Sequence, residues 1–271
     1  NHAKYMVVDN KIVFIKSCNW ADTGISKNPT FGNREWGIVI NNSSVEKNYL
    51  NVFFDDSNIN FSEIIFFNQT GWNISYDYFL DYFYLNGNYK NSFDSKVFYG
   101  NFSVKPVFSP DNSYKEILDL IKSANDSIYI QQLYIYKYWD DTLNPFVKIL
   151  SDKAKKGIDV RVIMNYNPVY FNTNEKINKT KKFFLDNDVL VKFIYTNWSI
   201  FTNLHNKGVI VDNRSVLISS INWNQNSFLN NREAGIIVYN ENISRYYAKV
   251  FFYDWNLKEN KYNQSLNDNV I

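Results

Sequence analysis

Two residue types are nearly missing from this 271-residue chain, which has one cysteine, Cys18, and two histidines, His2 and His205. A single Cys excludes an internal disulfide framework and a Cys-based zinc site. Any imidazole chemistry has to use one of just two side chains. Long apolar runs are also absent: Ile64-Ile65-Phe66-Phe67 is typical of the longest, far short of the roughly 18 residues a membrane-spanning helix needs. No charge of one sign dominates. With 29 Lys+Arg against 27 Asp+Glu the formal charge is +2, which excludes a general basic coat for nucleic acid and leaves room for a local patch. What is plentiful is apolar and aromatic material, 45% and 18% of residues, enough for a substantial core in one large domain or two ordinary ones. Asn is abundant too, so sequons such as those at Asn73, Asn101 and Asn197 follow from composition and say little about secretion.

The chain contains an internal duplication. Residues 2–20 read HAKYMVVDNKIVFIKSCNW and residues 205–223 read HNKGVIVDNRSVLISSINW, identical at ten of nineteen positions. Downstream, Asn33-Arg34-Glu35 matches Asn231-Arg232-Glu233, and the run Val52–Asp56 matches Val250–Asp254. The first copy is five residues longer between Asn19 and Glu35, which the loop Thr23–Thr30 absorbs. Three matching blocks in one order make a duplicated structural unit.

Each copy reads as a hairpin, a strand and a helix. Met6–Val8 and Ile12–Ile15 flank Asp9-Asn10-Lys11, and Val209–Val211 and Val216–Ile218 flank Asp212-Asn213-Arg214. Strands are expected at Gly37–Ile40 and Gly235–Tyr239, and helices at Val45–Phe54 and Ile243–Trp255, the latter capped by Asn242. In front of the second motif, a helix opening at Asp111-Asn112-Ser113, a strand Ser127–Ile135, a helix from Asn144-Pro145 to Gly157, a strand Asp159–Met164, a helix Glu175–Leu185 and a strand Val189–Tyr195 predict an α/β layer architecture. Nothing of this kind precedes His2. Residues 1–100 therefore read as the C-terminal remnant of a first half plus a connecting insertion, and 101–271 as a complete second half. On that reading His2 hangs at a frayed terminus.

The repeated set is His-x-Lys-x4-Asp followed by Ser-x-Asn: His2, Lys4, Asp9, Ser17 and Asn19, then His205, Lys207, Asp212, Ser220 and Asn222. His and Lys two apart on an extended segment share a face. A neutral imidazole is a nucleophile, Lys is a cation with three donors, Asn adds neutral donors, and a carboxylate can fix an imidazole tautomer. Two such sets face to face suit a phosphodiester: one His attacks phosphorus, the other protonates the leaving alkoxide and then activates water or another alcohol. The Lys/Asn clamp would stabilise the pentacoordinate charge.

By these residues the chain resembles the phospholipase D superfamily, whose signature is a duplicated His-x-Lys-x4-Asp with a Gly/Ser-Ser-x-Asn element. Lys16 and Ser219 stand where that family usually has Gly. The resemblance implies two pseudo-twofold-related α/β halves with mixed sheets flanked by helices, the N-terminal one truncated, and one site at their interface with no metal or other cofactor. It implies a catalytic set of His2, Lys4, Asp9, His205, Lys207 and Asp212, the two Asp in supporting roles. Ser17, Asn19, Ser220 and Asn222 would bind phosphate, and Glu35 and Glu233 would support the histidines. Analogy alone gives attack to His2 and proton donation to His205.

The expected activity is a phospholipase D-type phosphodiesterase, a hydrolase or transferase of phosphatidyl groups working through phosphohistidine, with peripheral membrane contact and no obligate protein partner. A single-strand nuclease and a non-catalytic phosphate-binding relative are the alternatives. Other features read as structural. Arg34 and Arg232 are split between site support and ion pairing, Asp55-Asp56 and Asp140-Asp141 read as loop carboxylates rather than metal ligands, and Lys153, Lys155 and Lys156 as a solvated helix end. Cys18 is a small core residue whose place in the motif hints at oxidation sensitivity, and the aromatic stretch Trp72–Leu85 is an insertion packing on the second half. A lone Cys fits any compartment.

Overall fold

A computed structural model describes residues 1–25, 32–58, 60–61, 64, 93–195 and 201–257. The Trp72–Leu85 stretch, the Asn73 and Asn197 sequons and most of the Thr23–Thr30 loop lie outside them. The first copy comprises β1 (Tyr5–Val8), β2 (Ile12–Lys16), β3 (Gly37–Asn41) and α1 (Ser43–Asp56). Next come β4 (Ser103–Ser109), α2 (Ser113–Lys122), β5 (Ser127–Gln132), β6 (Tyr138–Trp139), β7 (Thr142–Leu143), α3 (Pro145–Ala154), β8 (Asp159–Tyr166), α4 (Phe171–Leu185) and β9 (Leu190–Tyr195). The second copy is β10 (Lys207–Val211), β11 (Ser215–Ser219), α5 (Gln225–Leu229), β12 (Glu233–Tyr239) and α6 (Glu241–Trp255).

Strands β1-β2-β3 form an antiparallel sheet, and a seven-stranded mixed sheet runs β4-β12-β11-β10-β5-β8-β9. The last three strands of that order are parallel and the rest antiparallel. In the larger sheet β10 pairs with β5 and β12 with β4. Their counterparts β1 and β3 have no outer partner among the described residues.

Both hairpins turn through residues at positive φ, Asp9 (53°) and Asn10 (50°), Asp212 (52°) and Asn213 (52°). Asx residues tolerate this left-handed conformation, which suits the twist of a tight hairpin. Asn42 caps α1 by accepting from Ser44 and Val45 N, both at 3.0 Å. The equivalent cap of α6 is Asn240, not Asn242: its extended backbone lets its Oδ1 accept from Ile243 N at 3.0 Å, while Asn242 already lies in the first turn. Asn144 caps α3 with Pro145 just inside the helix. The strand expected over Ser127–Ile135 ends at Gln132, where its β8 partner register ends at Met164. Strand β4 was not expected, because Pro106 interrupts its alternation; as an edge strand it tolerates the missing N–H.

Alternation along the central strands splits two cores. Val209, Val211, Leu217 and Ile237 face one layer with Ile117, Ile121, Phe146, Leu150, Ile177 and Phe184 from α2, α3 and α4. Ile210, Val216, Ile218, Ile236 and Val238 face the other, against Val13 and Ile15 of β2, Tyr49 of α1 and Phe251 of α6. The small sheet and α1 thus sit on the large sheet's second face and bring the two motifs together.

Candidate active site

Each histidine is held by the opposite copy. His2 N donates to Arg232 O at 2.8 Å, and its Nδ1 lies 2.7 and 2.8 Å from the two Glu233 carboxylate oxygens. His205 N donates to Arg34 O at 3.0 Å, and its Nδ1 lies 2.7 Å from Glu35 Oε1. Each carboxylate is fixed in turn by its own copy. Ser17 Oγ donates to Glu35 Oε2 and Ser220 Oγ to Glu233 Oε2, both at 2.5 Å. Asn33 Nδ2 donates to Glu35 (3.2 Å) and Asn231 Nδ2 to Glu233 (3.4 Å). The serines are anchored by accepting from Trp36 N and Ala234 N at 3.0 Å.

The exchange continues outward. Arg34 pairs with Asp254 (3.1 Å) and Arg232 with Asp56 (2.9 Å), and Tyr49 donates to Gly235 O while Tyr247 donates to Gly37 O, both at 2.7 Å. When residue i touches j′ and i′ touches j throughout, the interface is isologous, here within one chain. His2 is consequently not frayed, since its main chain and ring are both tied to the second copy. The two copies differ where they touch most closely. A methyl group on Gly208 would fall 2.1 Å from the Trp36 ring, and the matching positions, Tyr5 and Ala234, carry the large and small residues the other way round.

A carboxylate against Nδ1 selects the neutral tautomer whose Nε2 carries the lone pair, and neither Nε2 has a hydrogen-bond partner among the described residues. Burial, with Lys207 adding to it, lowers the His205 pKa against the opposing pull of Glu35 and so favours the neutral imidazole. Glu35 stays below its ordinary range: burial pushes it up, but His205, Lys207 and Ser17 outweigh that. The two lysines donate back to the histidine carbonyls, Lys4 to His2 O at 2.6 Å and Lys207 to His205 O. Burial lowers Lys207 to about 7 and Lys4 to about 8, in spite of Glu35 and Glu233 nearby. Two amines with lowered pKa values thus lie beside two imidazoles held by carboxylates.

Not every expected residue is there. Asp9 and Asp212 are corrected: they are turn residues at the far end of a strand, seven positions and roughly 20 Å from their histidines. The carboxylates that touch the rings are Glu233 and Glu35. Asp212 instead accepts from the main-chain N–H of Asn125, Asp126 and Ser127 at 2.8–2.9 Å, which hold its pKa down although burial pushes it up. Ser17 and Ser220 spend their hydroxyls on Glu35 and Glu233 rather than facing outward as phosphate donors. Asn222 is buried with Oδ1 unpartnered among the described residues, while Asn19 is exposed. Arg34 and Arg232 are ion-paired across the interface, and Asp56 is the partner of Arg232. Among the described residues no three His, Cys, Asp or Glu side chains gather as a metal site. Asn33 and Asn231 are matched in the sequence as part of the Arg-Glu block but carry no expected role there, and Tyr49 and Tyr247 went unnoticed, although they stand at the same offset as that block.

The comparisons with known proteins agree with this architecture. A family model described as the PLD-like domain of cardiolipin synthase matches residues 117–255, just over half of the chain. Cardiolipin synthase of Clostridium perfringens is 24% identical over 255 residues, 94% of this chain and 49% of that protein. Cardiolipin synthase of Staphylococcus aureus is 27% identical over 262 residues, 94% of this chain and 46% of that protein. The chain thus spans about half the length of the curated relatives it matches. Among solved structures, phosphatidylserine synthase of Haemophilus influenzae superposes with a TM-score of 0.65 at 16% identity, over 98% of this chain and 67% of that one, a likeness of fold.

Proposed function

The chain belongs to the phospholipase D superfamily, and from that premise we propose that His2 and His205 form one composite site that moves a phosphatidyl group between alcohols through a covalent phosphohistidine. The reciprocal His–Glu pairs carry this reading: two imidazoles from different copies, each with its Nδ1 on a carboxylate and its Nε2 without a partner among the described residues, flanked by Lys4 and Lys207. The names of the relatives as synthases favour transfer over hydrolysis.

His205 is the nucleophile in this proposal, reversing the assignment made by analogy. Its neutral Nε2 attacks phosphorus, the bond to the leaving oxygen breaks, and His2 gives its proton to that oxygen. Then the acceptor alcohol loses its proton to His2, its oxygen attacks phosphorus, and the P–N bond breaks to free His205. Lys207 and Lys4 stabilise the negative charge spread over the phosphoryl oxygens. Glu35 and Glu233 fix the rings by accepting their Nδ1 protons.

The test is exchange of isotopically labelled glycerol into phosphatidylglycerol vesicles, against cleavage of single-stranded DNA, with and without EDTA. Expected is phospholipid turnover that survives chelation and falls at least about 10³-fold in His205→Ala. Cleavage of DNA in place of lipid would make this a nuclease, and turnover retained in His205→Ala would remove the mechanism.

A further inference from the structure

Lys16 is a buried cation that the proposed mechanism does not use. It is 1% exposed, and its Nζ has no oxygen or nitrogen acceptor among the described residues. Its neighbours, the Trp20 ring at 3.1 Å and the Phe14 ring at 5.4 Å from their centroids and the Cys18 thiol, offer π faces and one weak sulfur acceptor. Such contacts attract the cation but satisfy none of its three N–H donors as an oxygen acceptor would.

Register sets this residue beside Lys4. Tyr5 lies opposite Ile15 in the β1–β2 pair, and Lys16 N donates to Lys4 O at 3.1 Å, so Lys4 and Lys16 are direct cross-strand neighbours on one face. Like charges in that position repel, and the Lys16 charge is felt by Lys4 and by the Cys18 thiol beside it. The second copy has no such pair. There Ser219 lies opposite Lys207, and its hydroxyl is used on Lys207 O at 2.9 Å. The first copy therefore sets a lysine beside Lys4 where the second copy sets a serine beside Lys207.

We propose that Lys16, together with Lys4, forms a second phosphate subsite beside the histidines, so that the ligand of this site carries a phosphate group next to the one that is attacked. This deepens the phosphodiester reading and rests on it. An anion at Nζ supplies the missing acceptor and relieves the repulsion between the two lysines. A chain of two phosphates would span Lys207 and Lys4 with its reacting group and Lys4 and Lys16 with the other.

Titration calorimetry on the 271-residue chain, with inorganic orthophosphate and pyrophosphate, tests this in wild type, Lys16→Gln and Lys16→Gly, with Lys16→Arg as the charge-restoring control. Far-UV spectra and melting temperatures confirm that each variant is folded. Wild type is expected to bind one pyrophosphate about tenfold more tightly than orthophosphate, and both neutral variants to cut that preference to about twofold, with Lys16→Arg recovering most of it. If the second phosphate is a separate ion, wild type instead takes up two orthophosphates and the neutral variants one. That result supports the subsite and makes free phosphate its occupant. Preference and stoichiometry unchanged by loss of the Lys16 charge overturn the subsite. Failure of wild type to bind either anion overturns the underlying phosphodiester reading instead.

Discussion

Lys4 and Lys207 sit in surroundings that oppose their own charge, and that has a measurable consequence. With Lys207 at about 7 and Lys4 at about 8, the ligand-free site at pH 8 holds one largely neutral amine and one half-neutral amine. An anion favours the ammonium form, so binding raises both pKa values and draws in protons. Sulfate, which does not titrate here, should bind with uptake of about one proton at pH 8, and the share of that uptake due to the two lysines should fall towards zero by pH 6. Calorimetry in buffers of different ionisation enthalpy reads this directly, and a pH-independent uptake would contradict the lysine environments described. At this scale the sequence was informative about residue type: His2, Lys4, His205, Lys207, Glu35 and Glu233 converge as their repetition suggested. It misled on Asp9 and Asp212 because spacing along a strand is distance, and seven extended residues carry a side chain out of reach of its motif partner. Which Glu serves which His was illegible, since the exchange between copies is a property of how the sheets stack.

Between elements, the exchanged Arg–Asp pairs fasten the small sheet and α1 to the large sheet and α6. Asp254 is fully buried, with Arg34 at 3.1 Å and Gln131 Nε2 at 2.9 Å as its partners, and burial raises its pKa in spite of Arg34. Arg34→Ala should therefore destabilise the fold by about 3–5 kcal/mol in denaturant unfolding at pH 7, the cost of leaving a buried carboxylate uncompensated. Removing Arg34 lifts the folded-state pKa of Asp254 further above its unfolded value. An acid raised in this way contributes stability below the unfolded pKa and loses it as pH rises, so the deficit should shrink as pH falls to 5. A loss that is small and independent of pH would mean that the pair is not what joins the copies. Both hairpins, their following strands and α1 and α6 were readable from periodicity and Asx turns. Strand β4 was hidden by Pro106, and the two-residue strands β6 and β7 are too short to leave a pattern.

For the molecule as a whole, no described helix is long and apolar enough to cross a membrane, and the lipid substrate proposed above would be met at a surface. The loop between β8 and α4 and the first residue of that helix present Val169, Tyr170 and Phe171, all largely exposed, ahead of Lys176, Lys179, Lys181 and Lys182 on α4. The loop leaves the same end of β8 whose Asn165 accepts from Leu204 N at 2.8 Å, one residue before His205. Such an apolar tip backed by cations suits an anionic bilayer. Replacing all three apolar residues with Ser should lower sedimentation with phosphatidylglycerol vesicles about tenfold or more while leaving the melting temperature unchanged. Undiminished sedimentation would place membrane contact elsewhere. The central claim is a single composite site in which His205, kept neutral by burial and oriented by Glu35 of the other copy, forms the covalent intermediate. Rapid quenching during turnover of a phosphatidylglycerol labelled in its phosphate, followed by peptide mapping under alkaline conditions, tests it most directly. Label on the peptide containing His205, absent in Glu35→Ala, is the predicted result, and label on His2, or on neither histidine, would contradict it.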